Sequence, residues 1–160
     1  VPGHDAEEFG GELYNELLAL TESSWSRWTH ALDRVPVTSL ATPGVCGIWS
    51  VKDLIGHIAV WDDVAVQKIG RLAGGPGPSA AEEDLDTFNG RESALRAGRT
   101  VDEQLAEMRR NHDRLLGALE AASRASDDDL ARVRGWIAGD TWEHYDEHTA
   151  QVNASFPPPA

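Results

Sequence analysis

The sequence predicts an all-α protein, a four-helix bundle, and three observations carry that prediction. Four long stretches repeat apolar residues at three- and four-residue spacing, the period of one helix face. No segment alternates polar and apolar residues as a half-buried strand would. The connection between the second and third long stretches is long enough to hold a short extra helix and to let the chain cross the bundle. With 160 residues, 41% of them hydrophobic, the chain suits a single domain over residues 1–160 with one core.

The first stretch runs from about Glu7 to Val35, with Leu13, Leu17, Leu20, Trp28, Leu32 and Val35 on one stripe, and Pro36 stops it. A loop rich in Pro, Gly and Thr follows through Gly47. Ser50 with Asp53 three residues on forms a capping-box-like start for the second helix. Its inward face is Val51, Leu54, Ile55, Ile58, Trp61, Ala65, Ile69 and Leu72, and Gly74-Gly75-Pro76-Gly77-Pro78 ends it. Residues 79–98 read as a shorter, less regular helix with Leu85, Phe88 and Leu95 facing inward. Thr100 and Glu103 repeat the capping box and open the third long helix, whose stripe is Val101, Leu105, Met108, His112, Leu115 and Leu119. Ser126 and the three aspartates after it start a turn or short helix, and Gly135 to Gly139 reads as a loop. Asp140 and Glu143 open the last helix, which fades before Pro157.

Composition narrows the function classes. The formal net charge of −13, from 14 Lys+Arg against 27 Asp+Glu, argues against binding nucleic acid or anionic membranes, both of which need a basic patch. No apolar run approaches the roughly 20 residues of a membrane span, and no basic-then-apolar leader is visible. Cys46 stands alone, which excludes an internal disulfide and makes a reducing cytoplasm the expected location. It lies in a loop without a basic neighbour to activate it as a nucleophile.

The chemistry-bearing residues are histidines. His144 and His148 have i, i+4 spacing, which places both rings on one helix face, roughly 6 Å apart at Cβ, close enough to share one metal ion. His57 flanks the apolar face of the second helix. It follows Ser50 by seven residues, while His144 and His148 follow Asp140 by four and eight. If the two helix starts share one end of the bundle, all three rings come to similar depth. Three histidines leave open positions for substrate, as catalytic rather than structural sites do. Each also has a plainer reading: His57 as a hydrogen-bonded core histidine, the pair as coincidence. His112, in the seam of the third long helix, reads as a hydrogen-bonded core residue outside the ligand set, with a supporting residue behind the ligands or an alternative ligand as the other readings. His4 and His30 read as surface residues. Tyr145 and Glu147 border the pair and are catalytic candidates as proton relays or orienting groups, with a solvated helix face as the alternative. Trp49, Trp61 and Trp142 lie near the histidines in sequence and suit the wall of an apolar pocket, with the core preferred for Trp61.

The segment Gly47-Ile-Trp49-Ser50-Val-Lys-Asp53-Leu-Ile-Gly-His57 resembles the second-helix signature of the DinB/YfiT-like bundle superfamily. The pair His144 and His148, and Asp86-Thr-Phe-Asn89 in the middle segment, are similar to further motifs of that group, in the same order. The resemblance implies a four-helix bundle, often a homodimer, that binds nickel, zinc, iron or another divalent ion through His57, His144 and His148. It further implies a small-molecule substrate and, from characterised relatives, a low-molecular-weight thiol such as bacillithiol or mycothiol in a transferase or isomerase reaction. A hydrolase acting on small electrophiles also fits. The wording around Trp49 and Trp142 is similar as well to the ClbS-like branch, which implies a resistance protein acting on a reactive natural product. A non-catalytic, stress-associated binding protein completes the set of readings.

Overall fold

The computed structural model describes residues 11–78 and 83–160; His4, the expected helical start at Glu7 to Gly10, and residues 79–82 of the middle segment lie outside them. Six α-helices and no strand are present among the described residues. They are α1 (Glu12–Asp33), α2 (Val51–Ile69), α3 (Leu85–Arg96), α4 (Val101–Ala121), α5 (Asp127–Ile137) and α6 (Trp142–Ser155). The four long stretches of the sequence are α1, α2, α4 and α6, so the expected bundle is the one observed. Both capping boxes form. Ser50 Oγ accepts from the Asp53 N–H while Asp53 Oδ2 accepts from the Ser50 N–H, and Thr100 and Glu103 repeat the exchange.

Contacts along the helices fix their directions. Between α2 and α4, Asn111 donates to the Ala59 carbonyl (2.8 Å) and Arg114 to Asp63 (2.7 Å), with Gly56 facing Gln104 one step earlier on both, so the two run parallel. Between α1 and α6, Arg27 meets Asp146 and Arg34 meets Asn153, which makes these parallel too. α2 and α6 are antiparallel, because Tyr145 meets Asp62 while Asp140, before α6, meets Lys68 at the far end of α2. Two parallel helices in sequence need a return path, and α3 supplies it, as the long connection predicted. α5 closes the end of the bundle where α1 begins. Its Arg134 pairs with Glu16, and Leu130, Val133 and Ile137 pack among Tyr14, Leu17 and Leu119.

The core is two main apolar clusters rather than one, with a small third, Val60, Val64 and Phe88, between α2 and α3. The first gathers Leu17, Ala65, Leu115 and Trp142 with the residues of α5; the second gathers Trp28, Ile58, Met108 and Val152 toward the opposite end. On each long helix the change from one cluster to the other falls at polar residues. These are Thr21 and Ser24 on α1, Asp62 on α2, His112 on α4 and His144 on α6, all buried. A polar layer therefore crosses the middle of the bundle.

Three local expectations are corrected. Leu85 and Leu95 do not face inward: they are 60% and 67% exposed, and only Phe88 of α3 is buried. α3 rests on the outside of α2, so a single line of its residues can be covered. Gly135 to Gly139 is not a loop, since α5 continues to Ile137 and a 3-10 turn spans Ala138–Asp140. Buried Val133 and Ile137 hold that helix down, which outweighs the roughly 1 kcal/mol an exposed helical glycine costs. Asp140 does not cap α6. Thr141 stands at the cap position without a side-chain capping bond, its hydroxyl donating instead to the Ile137 carbonyl, and the Asp140 carboxylate binds Lys68.

The close passage of α2 over α4 generates a stability prediction. A Cβ on Gly56 would lie 2.0 Å from Oε1 of Gln104, itself only 1% exposed, so Gly56→Ala forces the buried amide to move. Urea denaturation of Gly56→Ala should show a loss of about 1–3 kcal/mol. Gly90→Ala, on α3 with nothing within 4 Å of the new carbon, should instead gain roughly 0.5–1 kcal/mol from helix propensity. Equal effects of the two would contradict the packing described.

Candidate metal centre

His57 of α2 and His144 and His148 of α6 converge on one point. Nε2 of His144 lies 2.8 Å from Nε2 of His57 and 2.9 Å from Nε2 of His148, and the three candidate ligand atoms all lie within 4.8 Å of one another. The rings meet at steep angles, with centroids 4.5–5.1 Å apart. One imidazole nitrogen carries either a single proton or a single in-plane lone pair, so His144 Nε2 cannot satisfy both neighbours. Three neutral imidazoles crowded in this way lack a common partner among themselves. A divalent cation is the group whose chemistry matches three converging lone pairs.

The reason these rings meet differs from the one the capping distances suggested. The starts of α2 and α6 lie at opposite ends, because the helices are antiparallel. His57 sits within the N-terminal half of α2 and meets the N-terminal half of α6 from the other direction. The convergence holds, and the shared helix end does not.

Burial sets the protonation of the cluster. Desolvation, with the nearby His148, lowers the His57 pKa to about 3. Desolvation first, then the neighbouring imidazoles, holds His144 well below the usual range, and desolvation lowers His148. All three rings are thus neutral at physiological pH, with lone pairs available. His148 Nδ1 donates to Gln151 Oε1 at 2.7 Å, which fixes its tautomer and turns the Nε2 lone pair toward the other two rings. The Asp140 backbone acts on His144 in the opposite, pKa-raising sense, although the buried Nδ1 of that ring makes no hydrogen bond of good geometry.

The triad opens on a cavity of about 620 Å³. Trp49 and Trp61 stand beside His57, with ring centroids 4.7 and 6.3 Å away, and Val64, Pro78 and Leu85 extend the apolar wall. Trp61, for which the core was the preferred reading, lines the cavity and is only half-buried. Its Nε1 donates to Asn89 Oδ1 (3.0 Å) and its ring packs on Phe88, so the Asp86-Thr-Phe-Asn89 motif anchors α3 beside the site. Trp142 is buried in the core cluster near α5. Cys46 and Glu147 also border the cavity, Glu147 from an exposed position. Lys68 lies on the same wall, with its ammonium bonded to Asp140 (2.6 Å) and to the Trp136 carbonyl (3.0 Å).

Two histidine expectations resolve here, and one catalytic candidate moves. His30 is exposed, its Nδ1 against the Ser26 carbonyl. His112 is a hydrogen-bonded core residue outside the triad: Nδ1 lies 3.3 Å from the Tyr145 hydroxyl, and Trp25 stacks on the ring at 3.7 Å. Tyr145 is neither on a solvated face nor beside the triad's nitrogens. It is fully buried, and its hydroxyl donates to Asp62 Oδ1 at 2.5 Å. One residue along a helix turns about 100°, so the neighbour of His144 points elsewhere. Sequence reasoning passed over Asp62, Lys68 and Gln151. Asp62 carried a readable signal, since it stands four after Ile58 and three before Ala65 on the buried stripe of α2.

Comparison with known proteins agrees with this picture. The family profile described as mycothiol maleylpyruvate isomerase N-terminal domain matches residues 21–149. That span takes in all three histidines and most of the bundle, in keeping with the DinB/YfiT-like resemblance of the sequence. The crystal structure of an uncharacterised protein from Escherichia coli UTI89 superposes with a TM-score of 0.72 at 14% identity, covering 91% of this chain and 93% of that one. At that identity the likeness speaks for the fold alone. No curated protein matches the chain significantly.

The lowered histidine pKa values predict acid sensitivity of the metal-free protein. An unfolded histidine takes up a proton near pH 6.5, whereas folded His57 resists it down to about 3. Protons therefore favour the unfolded state throughout that window, and stability falls as pH drops from about 6.5. In chelator-treated protein, His57→Gln should flatten the pH dependence of unfolding free energy between pH 6 and 4 by up to about 1.4 kcal/mol per pH unit. An unchanged slope would contradict the buried, neutral state of this ring.

Proposed function

The chain belongs to the mycothiol maleylpyruvate isomerase N-terminal domain family, and from that membership we propose that it is a metal-dependent enzyme acting on small electrophiles with a low-molecular-weight thiol. The observation that carries the reading is the meeting of the three Nε2 atoms of His57, His144 and His148 on the wall of a large cavity. These residues would hold a divalent ion, with nickel, zinc and iron all suited to imidazole donors. When bound, such an ion acts as a Lewis acid that brings the pKa of a thiol or water toward neutrality.

The chain's own groups supply the rest. Burial keeps the three imidazoles unprotonated, and Gln151 orients His148. Trp49 and Trp61 offer flat apolar walls against which a carbon electrophile is held and from which water is excluded. Glu147, which borders the cavity, would accept the proton that a thiol gives up. The reaction class is thiol addition to carbon, ending in S-transfer or, where the thiol leaves again, in isomerisation. A cavity of about 620 Å³ has room for a thiol cosubstrate beside a small electrophile. The partner in this reading is a small molecule, and a reducing cytoplasm is where such thiols are kept.

Metal analysis of protein purified without a histidine tag tests the first half. Wild-type protein should retain close to one divalent ion per chain, and His57→Ala and His148→Ala should each lower metal affinity by at least about tenfold. Full metal content in both variants would remove the assignment. Consumption of 1-chloro-2,4-dinitrobenzene tests the second half: it should require mycothiol or a comparable thiol and should stop on chelation. Thiol-independent turnover would count against the transferase reading.

A further inference from the structure

We propose that Tyr145 and Asp62 are positioning residues of the triad, their hydrogen bond clamping α6 to α2 and so setting how far His57 stands from His144 and His148. The inference rests on the metal reading above and concerns residues outside the metal's own ligand set.

Apolar packing does not by itself fix that distance. α2 packs chiefly on α4, and α1 chiefly on α6, so the histidines belong to two different helix pairs. Among the described residues, few side-chain bonds join α2 to α6 directly. Lys68 reaches Asp140 at the extreme end, before α6 begins. Apart from the contacts of the triad itself, the bond from Tyr145 to Asp62 is the one inside the site's own turns. Tyr145 directly follows His144 and precedes His148 by three, while Asp62 follows His57 by five. A shift of α6 along or away from α2 must stretch this bond and open the triad together.

The clamp is built to be stiff. Both residues are 0% exposed, and the hydroxyl lies 2.5 Å from the Asp62 oxygen, a short bond in a dry interior where a hydrogen bond is stronger than in water. The same hydroxyl oxygen faces His112 Nδ1 at 3.3 Å, so it accepts from α4 while donating to α2. Trp25 of α1 stacks on that imidazole with planes 4° apart. One phenol thus ties all four long helices at the height of the polar layer.

Stability alone does not account for this arrangement. Asp62 Oδ2 is buried without a hydrogen-bond partner and stands 3.7 Å from His112 Nδ1. A carboxylate with an unsatisfied oxygen is a costly occupant of a core position that a leucine would fill. What the polar set offers over an apolar one is direction and register between helices. Those are the properties that three ligands on two helices need.

Cobalt(II) substitution tests the proposal, because its visible bands report ligand geometry as well as occupancy. Tyr145→Phe should bind Co²⁺ about tenfold more weakly and with shifted bands, the size expected when support behind a ligand is lost. Asp62→Asn retains an acceptor for the phenol and should keep affinity and spectrum close to wild type. The paired change Asp62→Leu with Tyr145→Phe removes the unpaired carboxylate along with the clamp. It should fold even where the single Phe variant does not, and should show the same weakened, shifted site. Wild-type affinity and spectrum in either folded clamp-free variant would overturn the proposal. Loss of the site in Asp62→Asn would also overturn it, by pointing to the charge rather than the bond. Failure of the wild-type chain to bind Co²⁺ would sink the metal reading itself, and the clamp with it.

Discussion

The seam between α2 and α6 carries polar contacts at three heights, and the site depends on it. Lys68 meets Asp140 at one end, Asp62 meets Tyr145 in the middle, and His57 meets His144 and His148 beyond. Apolar burial is non-directional, and it brings the four long helices together without fixing how one slides on another. Hydrogen bonds and ion pairs are directional, so they fix the register that burial leaves free. In a bundle whose two core clusters are divided by a polar layer, this seam decides which residues face each other.

The same burial explains the chemistry available there. Imidazoles exposed to water would be partly protonated near pH 6.5 and would repel a cation. Enclosed between Trp49, Trp61 and the antiparallel helices, they remain neutral, and the cost appears as acid sensitivity of the fold. The cavity's own charges are few, with Lys68 already bonded to Asp140. The site is therefore mainly apolar around a cluster of neutral donors, a setting in which a bound cation and a developing thiolate would interact strongly.

Much of this was legible in the residues. The stripes of α1, α2 and α4 follow from spacing alone, and both capping boxes formed as written. The i, i+4 pair on α6 is a local property of any helix, so those two rings had to share a face. His57 was harder. The capping distances pointed to it through a shared helix end that the antiparallel packing removes, and the resemblance of Trp49 to His57 to a known signature was the sounder guide. α3 misled because Leu85 and Leu95 look like core residues, yet an outlying helix has room to bury only one line of side chains. Tyr145 misled because adjacency in sequence is not adjacency on a helix.

By itself, the sequence determined the elements: which stretches are helical, where two of them start, which faces are apolar, and that His144 and His148 lie one turn apart. These are short-range matters, governed by periodicity, caps and the loss of backbone freedom at Pro and Gly. Only the tertiary structure decided that α2 runs parallel to α4 and against α6, that Asp62, His112 and Tyr145 share a buried layer, and that Trp61 faces a cavity. Those outcomes depend on contacts between residues tens of positions apart, such as the 83 that separate Asp62 from Tyr145. No local pattern encodes such a pairing, because its energy exists only once both helices are packed.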